Sequence, residues 1–176
     1  MKIPYSIVTL VTVALCATTS IAQGLPKPGP EYDIFKHDLG IWDVDIKTTQ
    51  GPATKGKETN RMLGGFWMLT DFHGKMMGLD FKGHGIYGYD AEKKQYVGTW
   101  IDSLSPVKMD MIGTYDKAQH TMTYEGMAPG PDGKLTKHVM ATKYMDDGGR
   151  VMTMHVKAGD KMVKMFEMTL TKAKKQ

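Results

Sequence analysis

The sequence predicts an all-β domain: a single antiparallel up-and-down barrel of about eight to ten strands, entered through one short N-terminal helix. Three observations point there. Apolar and polar residues begin to alternate with a period of two at Ile41, and this continues almost to the end of the chain. Turn-forming clusters interrupt the alternation at short intervals. Helical spacing is confined to one stretch ahead of the first strand. Many short strands in sequence leave a sandwich or a barrel, and neighbours joined by short turns favour the barrel, because closure removes exposed edges.

The helix is read from Pro30 at its start, Tyr32, Phe35 and Leu39 at helical spacing, and Gly40 as its end. In the first strand Trp42, Val44 and Ile46 alternate with Asp43, Asp45 and Lys47, so one face is buried. Further strands are expected over 55–63, 66–73, 83–89, 96–102, 107–115, 119–125, 135–145, 150–157 and 162–171. Between them lie turn signals at Gly64-Gly65, 90–94, 116–118, 129–133, 146–149 and 158–160. A faint echo links two of the turns: Tyr89-Asp90 and Tyr115-Asp116 each close a strand, and Asp supplies a side-chain hydrogen bond to such a turn. They read as two similar hairpins.

The N-terminus has the pattern of an export signal. Lys2 is followed by a mostly apolar stretch over 3–17, and Ser20-Ile21-Ala22 places small side chains where a signal peptidase reads them. Cleavage after Ala22 gives a periplasmic or secreted protein, with a Pro/Gly-rich lead-in over 23–30 and the barrel domain over 31–176. The apolar stretch falls short of the about 20 residues of a membrane-spanning helix, so stable membrane insertion is not expected. Leu15 before Cys16 argues against a lipid anchor. Removing residues 1–22 of 176 leaves 154, and takes away the single cysteine and the chance of a disulfide. The net charge of +4 comes from lysines scattered singly and a basic tail over 172–176. No basic stripe with interleaved aromatics appears, so no nucleic-acid partner is expected.

The helix running into Gly40-Ile41-Trp42 resembles the G-x-W opening of lipocalins, in which the Trp plugs the closed end of the barrel beneath the helix. A longer set comprises His37-Asp38-Leu39-Gly40-Ile41-Trp42, Arg61-Met62-Leu63-Gly64-Gly65, Gly88-Tyr89-Asp90 and Tyr96-Val97-Gly98-Thr99-Trp100-Ile101-Asp102-Ser103. These segments resemble a bacterial family known as domain of unknown function 1579, whose members are often exported. The resemblance implies a calycin-like barrel and supplies no activity. The G-x-W-x-G-x-G opening of heme-binding nitrobindin-type barrels is not matched, since Asp43-Val44-Asp45 follow Trp42.

Several kinds of chemistry lack their residues. Beyond the signal there is no cysteine. Ser103 and Ser105 sit outside any G-x-S-x-G elbow, and Lys82-Gly83-His84-Gly85 precedes a strand, not a phosphate-binding helix. The chain is, however, rich in methionine, with 16 in all. Alternation turns Met109 and Met111 to one face, and likewise His120, Met122 and Tyr124, then His138, Met140 and Tyr144. Trp100 and Asp102 share a face, with Tyr96 in line. The leading expectation is therefore a cavity for a small, largely apolar molecule, lined by Trp100, Met109, Met111, Met122, Tyr124 and Met140, with Asp102, His120 or His138 as polar anchors. Asp102 equally fits a turn-capping role at its strand end.

Two alternatives use the same residues. Thioether and imidazole donors suit copper, so His120, Met122, His138 and Met140 form a candidate copper or heme set, although no resident cofactor is required. A barrel-scaffold enzyme would use Asp102 or His120 as acid or base. Asp71 and His73 share a face that His84 could approach as a zinc site, but no recognised ligand spacing supports it and solvated surface residues are the better reading of that pattern. The ligand's identity, the oligomeric state and any catalysed reaction stay open.

Overall fold

A computed structural model describes residues 25–49, 51–76, 78–130 and 132–174. The expected signal sequence and its cleavage point lie outside the described residues. Ten strands follow a 3-10 helix over Pro30–His37. They are β1 (Gly40–Thr48), β2 (Thr54–Leu63), β3 (Trp67–Met76), β4 (Leu79–Asp90) and β5 (Gln95–Asp102), then β6 (Ser105–Asp116), β7 (Thr121–Pro129), β8 (Leu135–Tyr144), β9 (Arg150–Ala158) and β10 (Lys161–Lys172). Each strand pairs antiparallel with its sequence neighbours, and β1 pairs with β10, so the sheet is a closed barrel with no free edge among the described strands.

The walls follow the alternation. In β1, Trp42, Val44 and Ile46 are buried between exposed Ile41, Asp43, Asp45 and Lys47. Inward positions elsewhere carry Met68 and Phe72 on β3, Met109 and Met111 on β6, Met122 and Tyr124 on β7, and Met168 and Leu170 on β10. Several inward positions are glycines on which aromatic side chains lie. A Cβ at Gly85 would sit 2.5 Å from Tyr87 Cε2, one at Gly98 2.7 Å from Tyr87 Cδ1, and one at Gly113 2.5 Å from Tyr124 Cε1. At Gly83 it would overlap the Trp100 indole. Large rings thus fit inside because the neighbouring wall gives up its side chains.

The helix covers the end of the barrel where β1 begins and β10 ends. Its sequence suggested an α-helical face of Tyr32, Phe35 and Leu39 ending at Gly40. The observed helix is tighter and stops at His37, with Asp38 as its C-cap. At three residues per turn Tyr32, Phe35 and Asp38 share a face, so the helix presents a carboxylate to the barrel. Gly40 takes φ +108° at the corner into β1. Tyr32 donates its hydroxyl to Tyr89 O (3.0 Å) and Tyr96 donates to Glu31 O (2.9 Å), which ties the helix to β4 and β5.

The two Tyr-Asp hairpins are alike in detail. Asp90 Oδ1 accepts from the backbone N–H of Glu92 and Lys93, and Asp116 Oδ1 from those of Ala118 and Gln119. Four residues past each Asp stands a left-handed residue, Lys94 (φ 52°) and His120 (φ 49°). These backbone bonds to Asp90, led by that of Lys93, hold its carboxyl below the ordinary value.

Candidate functional site

The barrel encloses a cavity of about 1450 Å³. It runs from the end under the helix to the loops at the opposite end, where Thr49, Gly78, Leu104 and Gly130 contribute. Most of its wall is apolar and soft, formed by methionines from β3, β6, β7, β8, β9 and β10 with Phe72, Phe81, Trp100 and Phe166. That volume exceeds the roughly 300–1,000 Å³ of ordinary small-molecule pockets.

Seven of the nine residues expected at a ligand site line this cavity: Trp100, Asp102, Met109, Met122, Tyr124, His138 and Met140. Met111 faces inward and is buried in the core, but it does not border the void. His120 is a correction. The expected strand starts two residues too early: β7 begins at Thr121, and His120 is an exposed turn residue. Its backbone carbonyl accepts from Tyr144 N (2.9 Å). The likeness of the two hairpins carried the signal, since His120 stands where Lys94 stands in the first.

The fold therefore separates the four suggested copper donors. Met122, His138 and Met140 are on the inner wall and His120 is outside. On the outer wall Asp71 and His84 are cross-strand partners, with Nδ1 of His84 2.8 Å from Asp71 Oδ1, while His73 pairs with Lys82. Among the described residues no three His, Cys, Asp or Glu side chains gather as a metal site. Asp102 borders the cavity and takes the turn-capping role. Its Oδ1 accepts from Leu104 N (2.9 Å) to cap the turn, and its Oδ2 accepts from Trp100 Nε1 (3.2 Å), which fixes the indole against the cavity.

The floor under the helix holds a buried polar cluster that the sequence reading did not assemble. Arg150, 6% exposed, opens β9 and bonds the Asp38 carboxylate through one terminal nitrogen and Glu58 of β2 through the other. Tyr144 donates to Asp38 Oδ2 (2.8 Å). Asn60 donates to Glu58 Oε1 (2.6 Å) and to the Asp38 carbonyl (2.8 Å), which also accepts from Trp42 Nε1 (2.7 Å). The fully buried Trp42 ring lies under the Arg150 guanidinium, 4.3 Å away, with Lys172 Nζ at 4.5 Å.

The charges follow from this crowding. Burial pushes the Asp38 carboxyl above its ordinary value, against the pull of Arg150 and the Tyr144 hydrogen bond. Arg150 keeps its proton because Asp38 and Glu58 outweigh the cost of its burial. Burial raises the hydroxyls of Tyr87, Tyr124 and Tyr144, and the nearby carboxylates raise them further, so all three are neutral donors. Two donors at the floor lack a partner among the described residues: the Tyr124 hydroxyl and Arg150 Nε, both of residues that border the cavity.

A family model described as "Protein of unknown function (DUF1579)" matches residues 27–172. The chain belongs to the DUF1579 family. No functionally curated protein matches this DUF1579 member. Among solved structures, Rv2717c from M. tuberculosis is similar to it with a TM-score of 0.59 at 9% identity, covering 84% of this chain and 100% of that one. A redesigned β-barrel aligns with a TM-score of 0.40 at 12% identity, over 81% of this chain and 95% of its own. At such identities the likeness to Rv2717c speaks for the fold alone, in agreement with the closed barrel.

Proposed function

We propose that this DUF1579 protein is an exported, lipocalin-like barrel that binds a small, largely apolar molecule. The observation that carries the reading is the cavity of about 1450 Å³, with methionine and aromatic walls between a buried polar cluster under the helix and a few polar residues, Thr49, Lys75 and Ser105 among them, at the loop end. Apolar walls with few polar anchors are what an orienting small-molecule site needs. Thioether side chains adapt their shape at low cost, which suits a ligand of variable outline. The lipocalin-like assignment is supported by Trp42 buried beneath a capping helix. The export assignment is supported by Lys2, the apolar stretch behind it and Ser20-Ile21-Ala22.

The reading is tested with N-phenyl-1-naphthylamine, a neutral dye whose fluorescence rises in apolar surroundings. The native protein is expected to bind it saturably. Met109→Trp and Met140→Trp, which fill the cavity from two strands, are expected to weaken that binding while the circular dichroism of the barrel is retained. A folded native protein that leaves the dye dark overturns the reading.

A further inference from the structure

We infer that the cavity selects an amphiphile whose head is a neutral acceptor oxygen, a hydroxyl or carbonyl, over a carboxylate or an ammonium on the same chain. This rests on the binding reading above and deepens it.

The buried polar cluster at the floor makes the selection. A ligand carboxylate entering a barrel needs an unmatched cation, and the cation at the floor is Arg150. Its two terminal nitrogens are already taken by Asp38 and Glu58, so one guanidinium faces two carboxyl groups and no positive charge is left over. An incoming anion would have to displace a resident carboxylate or share the floor with both, away from bulk water, where like charges repel strongly. Lys172 is turned to the Leu39 carbonyl and lies over the Trp42 ring, and Lys75, a further cation that borders the cavity, sits at the far end paired with Asp80.

What the floor does offer is donors. The hydroxyl of Tyr124, a residue 8% exposed, and Arg150 Nε are buried without partners among the described residues just beneath the cavity surface, while the third such atom, the acceptor Asn60 Oδ1, belongs to a residue that does not border the cavity. Leaving such donors unpaired is costly, and an acceptor that reaches them recovers the loss. Hydroxyl and carbonyl oxygens can accept, whereas an ammonium cannot. The apolar remainder of the ligand then runs along the methionine wall towards the loops at the far end, past Trp100 and Phe166.

The experiment is displacement of N-phenyl-1-naphthylamine from the full-length native protein at neutral pH. The competitors are four twelve-carbon molecules: 1-dodecanol, 2-dodecanone, dodecanoate and dodecylammonium. The alcohol and the ketone are expected to displace the dye at concentrations about tenfold below those of the two ions. Tyr124→Phe keeps the ring over Gly113 and removes only the donor. It is expected to narrow the gap between dodecanol and dodecanoate by roughly threefold or more. Should that variant fail to fold, the ranking on the native protein still decides.

Dodecanoate equal to or better than dodecanol overturns the inference, because Arg150 would then be open to anions. Dodecylammonium in first place overturns it too, because the surplus carboxylate would then govern. Equal displacement by all four leaves the binding reading standing and removes the head-group selection. A native protein that binds no dye removes both.

Discussion

Burying Asp38 and Glu58 around a single Arg150 gives the floor one acidic group more than its cation can match, and the pH dependence of stability should carry that imbalance. Above the ordinary carboxyl value of 3.8 the unfolded chain loses the Asp38 proton, while the native state, its carboxyl raised by burial, still holds it. Over that window the native state binds more protons than the unfolded one, so stability falls as pH rises and levels off once the raised value is passed. Urea midpoints of the native protein and Asp38→Asn, compared from about pH 4 to about pH 7, isolate this group, since the other carboxylates are common to both. The native midpoint is expected to fall relative to the variant in the lower part of the range. A gap that widens the other way would mean that Arg150 holds the carboxyl down. These residues were only half legible in the sequence. Parity alone places Glu58 inward between Lys57 and Thr59, and Arg150 inward in line with Met152 and Met154. Asp38 was hidden by reading an α-helical face where the chain forms a 3-10 turn. That Asp38 and Arg150 meet, 112 positions apart, is set by barrel closure, which no local pattern encodes.

At the scale of strands and hairpins the sequence was far more informative, because period two leaves little choice once one face is buried. All ten strands were legible, and so were the two Asp-capped hairpins. Strand ends were not, because alternation continues into a turn whenever the turn residue happens to fit the pattern, as His120 does. The left-handed backbone at His120 disfavours any residue with a Cβ by roughly 1 kcal/mol. His120→Gly is therefore expected to raise stability in urea by up to about 1 kcal/mol and to leave dye binding as it was, since the imidazole is outside the barrel. Gly83→Ala should do the reverse. Its new methyl collides with the Trp100 indole that Asp102 holds in place, so the ring must leave its position on the cavity wall. A loss of about 1–3 kcal/mol is expected, with altered tryptophan fluorescence. A Gly83→Ala variant as stable as the native protein would show that Trp100 has room to move.

Across the whole molecule, what separates this chain from an open meander is the β1–β10 seam, with Trp42 opposite Lys172, Val44 opposite Leu170 and Ile46 opposite Met168. The seam joins the first strand to the last, so it forms only when everything between is in place, and its loop-closure cost falls late. It also completes the core: Met168 and Leu170 pack with Trp42, Val44, Ile46, Phe72 and Phe81. A chain ending at Ala158 would lose those two side chains and leave β1 and β9 as unpaired edges. It is expected to show no cooperative thermal transition, to lose its near-ultraviolet circular dichroism and to aggregate. A chain ending at Ala173 retains the seam and the bond from Ala173 N to Ile41 O, and should unfold within about 0.5 kcal/mol of the native protein. Cooperative unfolding of the shorter chain would mean that nine strands hold together without closure. The cavity would then be the groove of an open sheet, and its polar floor, which needs β1, β2 and β9 around one helix, would survive without the seam beside it.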